Sequence, residues 1–140
     1  MGTATVVVGA SGTVGFSTNG RNFEPAKTLQ RRNQFPLVFF DDVTVTQDLN
    51  DVTYGATRGV VVGAAGTILV TKPGAAGIGT AFEIVQQFAT ANLNGVGANG
   101  DIFVAVGDNG AILRSNNGEA WTGVTTTSIS TKLNLSLIHI

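Results

Sequence analysis

Few side chains in this chain are suited to covalent or acid–base chemistry. His139 is the sole histidine and cysteine is absent. A zinc site or a Ser-His-Asp arrangement therefore has almost nothing to build on. Tyr54 is the single tyrosine, and the glutamates are Glu24, Glu83 and Glu119. Asp41 and Asp42, with Asp48 and Asp51, form a loose acidic group whose spacing matches no calcium-binding loop, and a solvated loop is the simpler reading. The glycines of Lys72–Thr80 (KPGAAGIGT) are scattered and no Lys-Ser/Thr pair follows them, so this is a flexible loop and not a phosphate loop. These residues predict no catalytic site, no metal and no cofactor.

Composition narrows the remaining classes. The chain has 140 residues, only 12% of them charged, and a formal net charge of -1. Nothing here favours electrostatic capture of nucleic acid or of an anionic membrane. Without cysteine there is no disulfide framework. No apolar run approaches the roughly 18 residues of a spanning helix. Met1–Ala10 lacks the basic start and long apolar core of a signal peptide. A virion or extracellular surface is the expected location, and a cytosolic one fits as well. Nineteen glycines among many Thr, Asn, Val and Ala residues predict an all-β protein rich in tight turns.

The elements that must position any site repeat along the chain. Ile102–Trp121 reads IFVAVGDNGAILRSNNGEAW, and related phrases stand at Thr5–Phe23 and Gly59–Thr71. Three glycine turns align: Gly9 to Gly12, Gly63 to Gly66 and Gly107 to Gly110, at intervals of 54 and 44 residues. A Leu-Asn pair recurs at Leu49-Asn50, Leu93-Asn94 and Leu133-Asn134, at intervals of 44 and 40 residues. Two independent markers thus give the period of a four-stranded repeat, about 40–45 residues. Each unit reads as a first strand at the Leu-Asn pair, a second strand that is an apolar run, a third after the glycine turn, and a fourth opening at an aromatic. The second strand (Val6-Val7-Val8, Val60-Val61-Val62) is continuously apolar and is expected to be buried on both faces. The turn glycines, with Asn117-Gly118, supply the positive φ that short hairpins demand.

Gln30–Asp42 (QRRNQFPLVFFDD) interrupts this pattern. Pro36 within Phe35–Phe40 argues against a central strand, and the flanking Arg31-Arg32 and Asp41-Asp42 read as charged gatekeepers. A long loop folded over a core opening is expected there, with an oligomer contact or ligand lip as the alternative. Thr125–Thr131 is a polar connector, and Lys132–Ile140 begins a fourth Leu-Asn unit. Leu135–Ile140 (LSLIHI) resembles translated adapter sequence at the ends of metagenomic assemblies, so the natural chain is expected to differ there and to be longer.

The phrase at 102–121 resembles the repeats of sialidase-type Asp-box β-propellers, and is nearer to those of photosystem II assembly factors and marine bacteriophage structural proteins. The resemblance rests on Phe103-Val-Ala-Val-Gly107, Gly110, Ile112, Ser115, Gly118 and Trp121, on Gly9, Gly12, Ser17, Gly20 and Phe23, and on Gly63, Gly66, Ile68 and Phe82. It implies four-stranded blades with Phe23, Phe82 and Trp121 packed between them. The family's turn aspartate is Asn19 in the first unit and Asn117 in the third. An Asn carbonyl oxygen can accept the same backbone N–H groups, so the turn survives without acid chemistry. For a sialidase the resemblance would imply three clustered arginines, a Tyr nucleophile paired with Glu, and an acid Asp. Tyr54 lies in a first strand, the glutamates lie at or beside fourth strands on the outer edge, and nothing fixes three of Arg21, Arg31, Arg32, Arg58 and Arg114 on one face. The glycosidase reading is set aside.

The resulting expectation is one repeat domain. Blade 1 covers about 4–29, an insertion 30–47, blade 2 about 48–90, blade 3 about 91–127, and residues 131–140 start a next blade or close a ring. Propellers close with about four to eight blades. A homo-oligomer is therefore expected, two chains closing six blades, with a fragment of a longer propeller or an end-to-end sheet stack as alternatives. The expected function is a non-enzymatic binding or structural module, virion-associated on a tail fibre or capsid surface, that recognises carbohydrate or a receptor. A protein-docking assembly factor is the alternative.

Overall fold

The computed structural model describes residues 5–34, 37–71, 81–86, 91–124 and 129–134, with the side chains at 31–34, 37–40 and 86 outside the description. The described residues are all-β, and none of them forms a regular helix. The strands are β1 (Thr5–Val8), β2 (Val14–Ser17), β3 (Glu24–Pro25), β4 (Lys27–Gln34), β5 (Leu37–Asp42), β6 (Leu49–Tyr54), β7 (Gly59–Gly63), β8 (Ile68–Thr71), β9 (Ala81–Gln86), β10 (Leu93–Asn99), β11 (Ile102–Gly107), β12 (Ile112–Ser115) and β13 (Trp121–Gly123). They form three sheets. The N-terminal sheet has the order β1-β2-β3, the middle sheet β5-β4-β9-β8-β7-β6, and the C-terminal sheet β10-β11-β12-β13.

The C-terminal sheet is an antiparallel meander of four strands. Strands β6 to β9 repeat that order within the middle sheet, Leu49 facing Gly63 as Leu93 faces Gly107. In both, the first strand shifts register after its leucine, between Leu49 and Asp51 and between Leu93 and Gly95. The shared irregularity means that the same residues leave the ladder in each sheet, and Asn50 and Asn94 occupy those positions.

The middle sheet carries the core on both faces. Val60, Val62, Ile68 and Val70 pack towards the C-terminal sheet against Leu93, Val96, Ala98, Phe103 and Ala105. Val61, Leu69 and Phe82 pack the other way, with Val14, Val45 and Leu49. Successive strand residues point to opposite faces, so a continuous valine run serves two neighbours at once. Val60, Val61 and Val62 are all fully buried, each worth about 2 kcal/mol of transfer free energy.

Two expectations from the sequence are corrected. Val6-Val7-Val8 was expected to be buried like its counterpart, yet β1 is only half-covered and Val7 is 42% exposed, because no sheet packs on its far face among the described residues. Where a loop is expected over Gln30–Asp42, Gln30–Gln34 and Leu37–Asp42 lie in strands. β4 and β5 form an antiparallel hairpin, and β4 runs parallel to β9 through Lys27, Thr28 and Leu29. The first sheet thus ends at Pro25 and the following residues widen the second. As expected from Pro36, this segment is not central: β5 is the edge strand. Its charged and apolar side chains at 31–34 and 37–40 lie outside the described residues.

Candidate functional site

The glycine turns come first, because the Leu-Asn pairs that join neighbouring sheets meet them. Ala10–Thr13, Ala64–Thr67 and Asp108–Ala111 are type I′ turns, each closed by an i+3 N–H to i carbonyl bond of 3.1 Å. Their central residues have positive φ: Ser11 and Gly12, Ala65 and Gly66, Asn109 and Gly110. That is the backbone twist a tight antiparallel hairpin requires. The other glycine of each turn behaves differently. Gly9, Gly63 and Gly107 are extended, at φ of -166, -162 and -161, which any residue adopts. Gly63 and Gly107 are needed for space. A Cβ on Gly63 would lie 2.3 Å from the Asp48 carbonyl oxygen, and one on Gly107 would lie 1.9 Å from that of Asn92. The residue before each Leu-Asn pair presses on that glycine.

The Leu-Asn pair then reaches the next unit. Asn50 Nδ2 donates to the Leu93 carbonyl at 2.7 Å, and Asn94 Nδ2 donates to that of Leu133 at 3.2 Å. The leucine N–H groups point back: Leu49 donates to the Gly9 carbonyl at 2.9 Å, and Leu133 to that of Gly107 at 2.8 Å. The preceding residue caps the adjoining turn, Asp48 Oδ1 accepting from Ser11 N–H and Asn92 Oδ1 from Ala65 N–H. Asp51 Oδ2 accepts from Val96 N–H, and Asp101 Oδ1 from Thr57 N–H. Arg58 and Glu119 pair across the middle and C-terminal sheets. Asp108 accepts from Asn94 and Asn92, which hold its carboxyl below the ordinary range.

The asparagine turns have the expected internal wiring. Asn19 Oδ1 accepts from Arg21 and Asn22 N–H, and Asn117 Oδ1 from Glu119 and Ala120 N–H. Ser17 and Ser115, both buried, receive the Gly20 and Gly118 N–H groups. Gly20 and Gly118 have φ of +70 and +79. The aromatics diverge. Phe82 is fully buried between the N-terminal and middle sheets. Trp121 packs on the core beside Phe103, with centroids 6.4 Å apart, and its indole N–H donates to Gly118. Phe23, expected to pack between sheets, is 44% exposed, since its side of the N-terminal sheet has no neighbour among the described residues.

The residues with chemical potential are not brought together. Tyr54 lies against Gly59 opposite it, and burial pushes its phenol up to about 12. Glu83 is buried, contrary to its expected place on an outer edge, because the β4–β5 hairpin continues the sheet beyond β9. Asp41 and Asp42 lie in β5, while Asp48 and Asp51 are engaged by backbone N–H groups. Among the described residues no three His, Cys, Asp or Glu side chains gather as a metal site would need, and no helix is long and apolar enough to cross a membrane. An open groove of about 430 Å³ lies on the C-terminal sheet, lined by Arg114, Asn116, Asn117, Thr122 and Val124 among others. His139 and the 72–80 loop lie outside the described residues. The signals missed from the sequence are the backbone pressure on Gly63 and Gly107 and the role of Asp48 and Asn92, both placed immediately before Leu-Asn. Comparison of the chain with protein-family models, with characterised proteins and with solved structures finds no match.

Proposed function

We propose that this chain is a non-enzymatic structural and binding module whose sheets are blades of an Asp-box-like β-propeller. The observation that carries the reading is the relay of Leu-Asn pairs, in which Asn50 bonds the Leu93 carbonyl and Asn94 that of Leu133. A relay of this kind fixes each sheet against its neighbour and is the work of a scaffold. The polar side chains at the turns support the same reading. Asn19, Asp48, Asn92, Asp101 and Asn117 each hold backbone N–H groups, and this is structural work. Exposed Asn and Thr side chains on such a scaffold suit sugar hydroxyls or a receptor surface, as on a virion tail fibre or capsid.

A glycan array probed with the purified chain, alongside a fluorogenic sialoside assay, tests this function. Selective glycan binding without turnover is the expected result. Turnover abolished by Tyr54→Phe would overturn the non-enzymatic reading. Capture of one defined protein without glycan binding would replace carbohydrate recognition with protein docking.

A further inference from the structure

We propose that a second copy of this chain docks its N-terminal sheet onto the C-terminal sheet of the first, head to tail, with its Gly9 opposite Leu133 of the first. The inference rests on reading the three sheets as units of one repeat.

Gly9 is the first observation. Its counterparts Gly63 and Gly107 are glycines because the residue before a Leu-Asn pair presses on them, with Leu49 and Leu93 Cα atoms 3.0 Å from the place of a Cβ. Around Gly9 the nearest described atom is the Thr13 Cβ at 3.9 Å. Its φ of -166 makes no demand for glycine. Among the described residues the space that a Lys132-Leu133 pair would fill is therefore open, and it lies on the edge of β1 that no described strand pairs. Leu133 is already held in the required position by the Gly107 carbonyl and by Asn94.

The asparagine turns give the second. Gly118 rests on the middle sheet, where a Cβ on it would lie 3.3–3.4 Å from the Val60 and Val70 methyls. Gly20 occupies the same place in the N-terminal sheet, and a Cβ on it would meet no described atom within 4 Å. On the C-terminal sheet the positions of Val60 and Val70 are taken by Val104 and Arg114. Arg114 lines the 430 Å³ groove there. That groove is the socket into which the Gly20 turn of a second copy fits.

The apolar faces agree. Val45 wedges between the N-terminal and middle sheets and is 3% exposed. Ile129, which stands the same four residues before Leu-Asn, is 41% exposed. Val61 and Phe82 are fully buried, and their counterparts Val7 and Phe23 are 42% and 44% exposed. The two open faces are the two halves of a contact that this chain already makes twice within itself. Such a contact is heterologous, so copies close a ring or grow a filament according to the rotation it imposes.

Light scattering on a sizing column, run on the wild type, Gly9→Val and Phe23→Asp, tests the proposal. The wild type is expected at a multiple of the chain mass. Gly9→Val is expected at the chain mass with unchanged circular dichroism, because no described atom of its own chain opposes the new side chain. Phe23→Asp is expected to dissociate as well. A wild type that stays at the chain mass over the accessible concentrations overturns the proposal, as does a Gly9→Val variant that still associates. Hydrogen exchange on the same samples separates this from the scaffold reading, since protected β7 amides in a monomer leave the internal repeat intact.

Discussion

The side-chain amide of Asn50 donates to the main-chain carbonyl of Leu93 at 2.7 Å, across 43 residues of sequence. Asn94 makes the same bond to Leu133. In each case the donor sits where its strand slips register, so the asparagine is free to turn from its own ladder to the next sheet. Replacing Asn50 by Ala leaves the Leu93 carbonyl without this donor. We expect a loss of about 1 kcal/mol, typical of one partly buried hydrogen bond. It should be read as a lower urea midpoint with an unchanged slope.

The extended turn glycines make a sharper prediction. A Cβ at Gly63 meets the Asp48 carbonyl oxygen at 2.3 Å, a main-chain atom that cannot rotate away. Gly63→Ala should destabilise by about 1–3 kcal/mol through overpacking, although alanine adopts the local φ and ψ without strain. Thermal unfolding of the variant checks this. A variant as stable as the wild type would mean that β6 does not press on this turn.

The asparagine turns test the departure from the Asp-box pattern. Asn117 Oδ1 accepts from the Glu119 and Ala120 N–H groups at 2.9 and 3.0 Å. Asn117→Asp keeps an acceptor there and should match the wild type or exceed it slightly. Asn117→Ala removes it and should cost about 1 kcal/mol. Denaturant midpoints of the two variants, compared side by side, decide whether the residue serves as an acceptor only.

Partial burial of Tyr54, which is 37% exposed, gives a pH dependence. Its phenol is pushed up to about 12 from an ordinary 10.0, so the folded protein holds the proton that the unfolded chain releases first. The associated stability is complete below about pH 10 and is lost as pH rises through about 12. As the only tyrosine, Tyr54 can be followed by phenolate absorbance alone. Its midpoint should lie well above that of the urea-unfolded chain.

Much of this architecture was legible in particular residues. Leu49, Gly59, Leu93, Ile102 and Trp121 open strands where the apolar runs and turn signals place them. The type I′ turns follow from Ser-Gly, Ala-Gly and Asn-Gly between those runs. The β4 strand was not legible, because Lys27–Gln34 is polar and pairs in parallel with β9, more than 50 residues on, a partner that local pattern cannot name. The exposure of Val7 and Phe23 was not legible either. Their residue types repeat those of Val61 and Phe82, and only the neighbour differs. The glycines misled in one respect: Gly63 and Gly107 serve close approach and not positive φ, a distinction visible only once Asp48 and Asn92 are in place.

The central claim is that one contact, made twice within the chain, is the contact the chain offers outward. A side chain built at Gly118 would come within 3.3 Å of a Val60 methyl, and Gly20 and Val104 are the counterparts that the proposed contact brings together, close enough for a disulfide. The protein has no cysteine to compete. Gly20→Cys and Val104→Cys chains should be prepared separately, mixed under mild oxidation and run on a non-reducing gel. The account predicts a mixed disulfide between the two variants in excess of either variant paired with itself. A mixture giving only random pairing, or none, would contradict it.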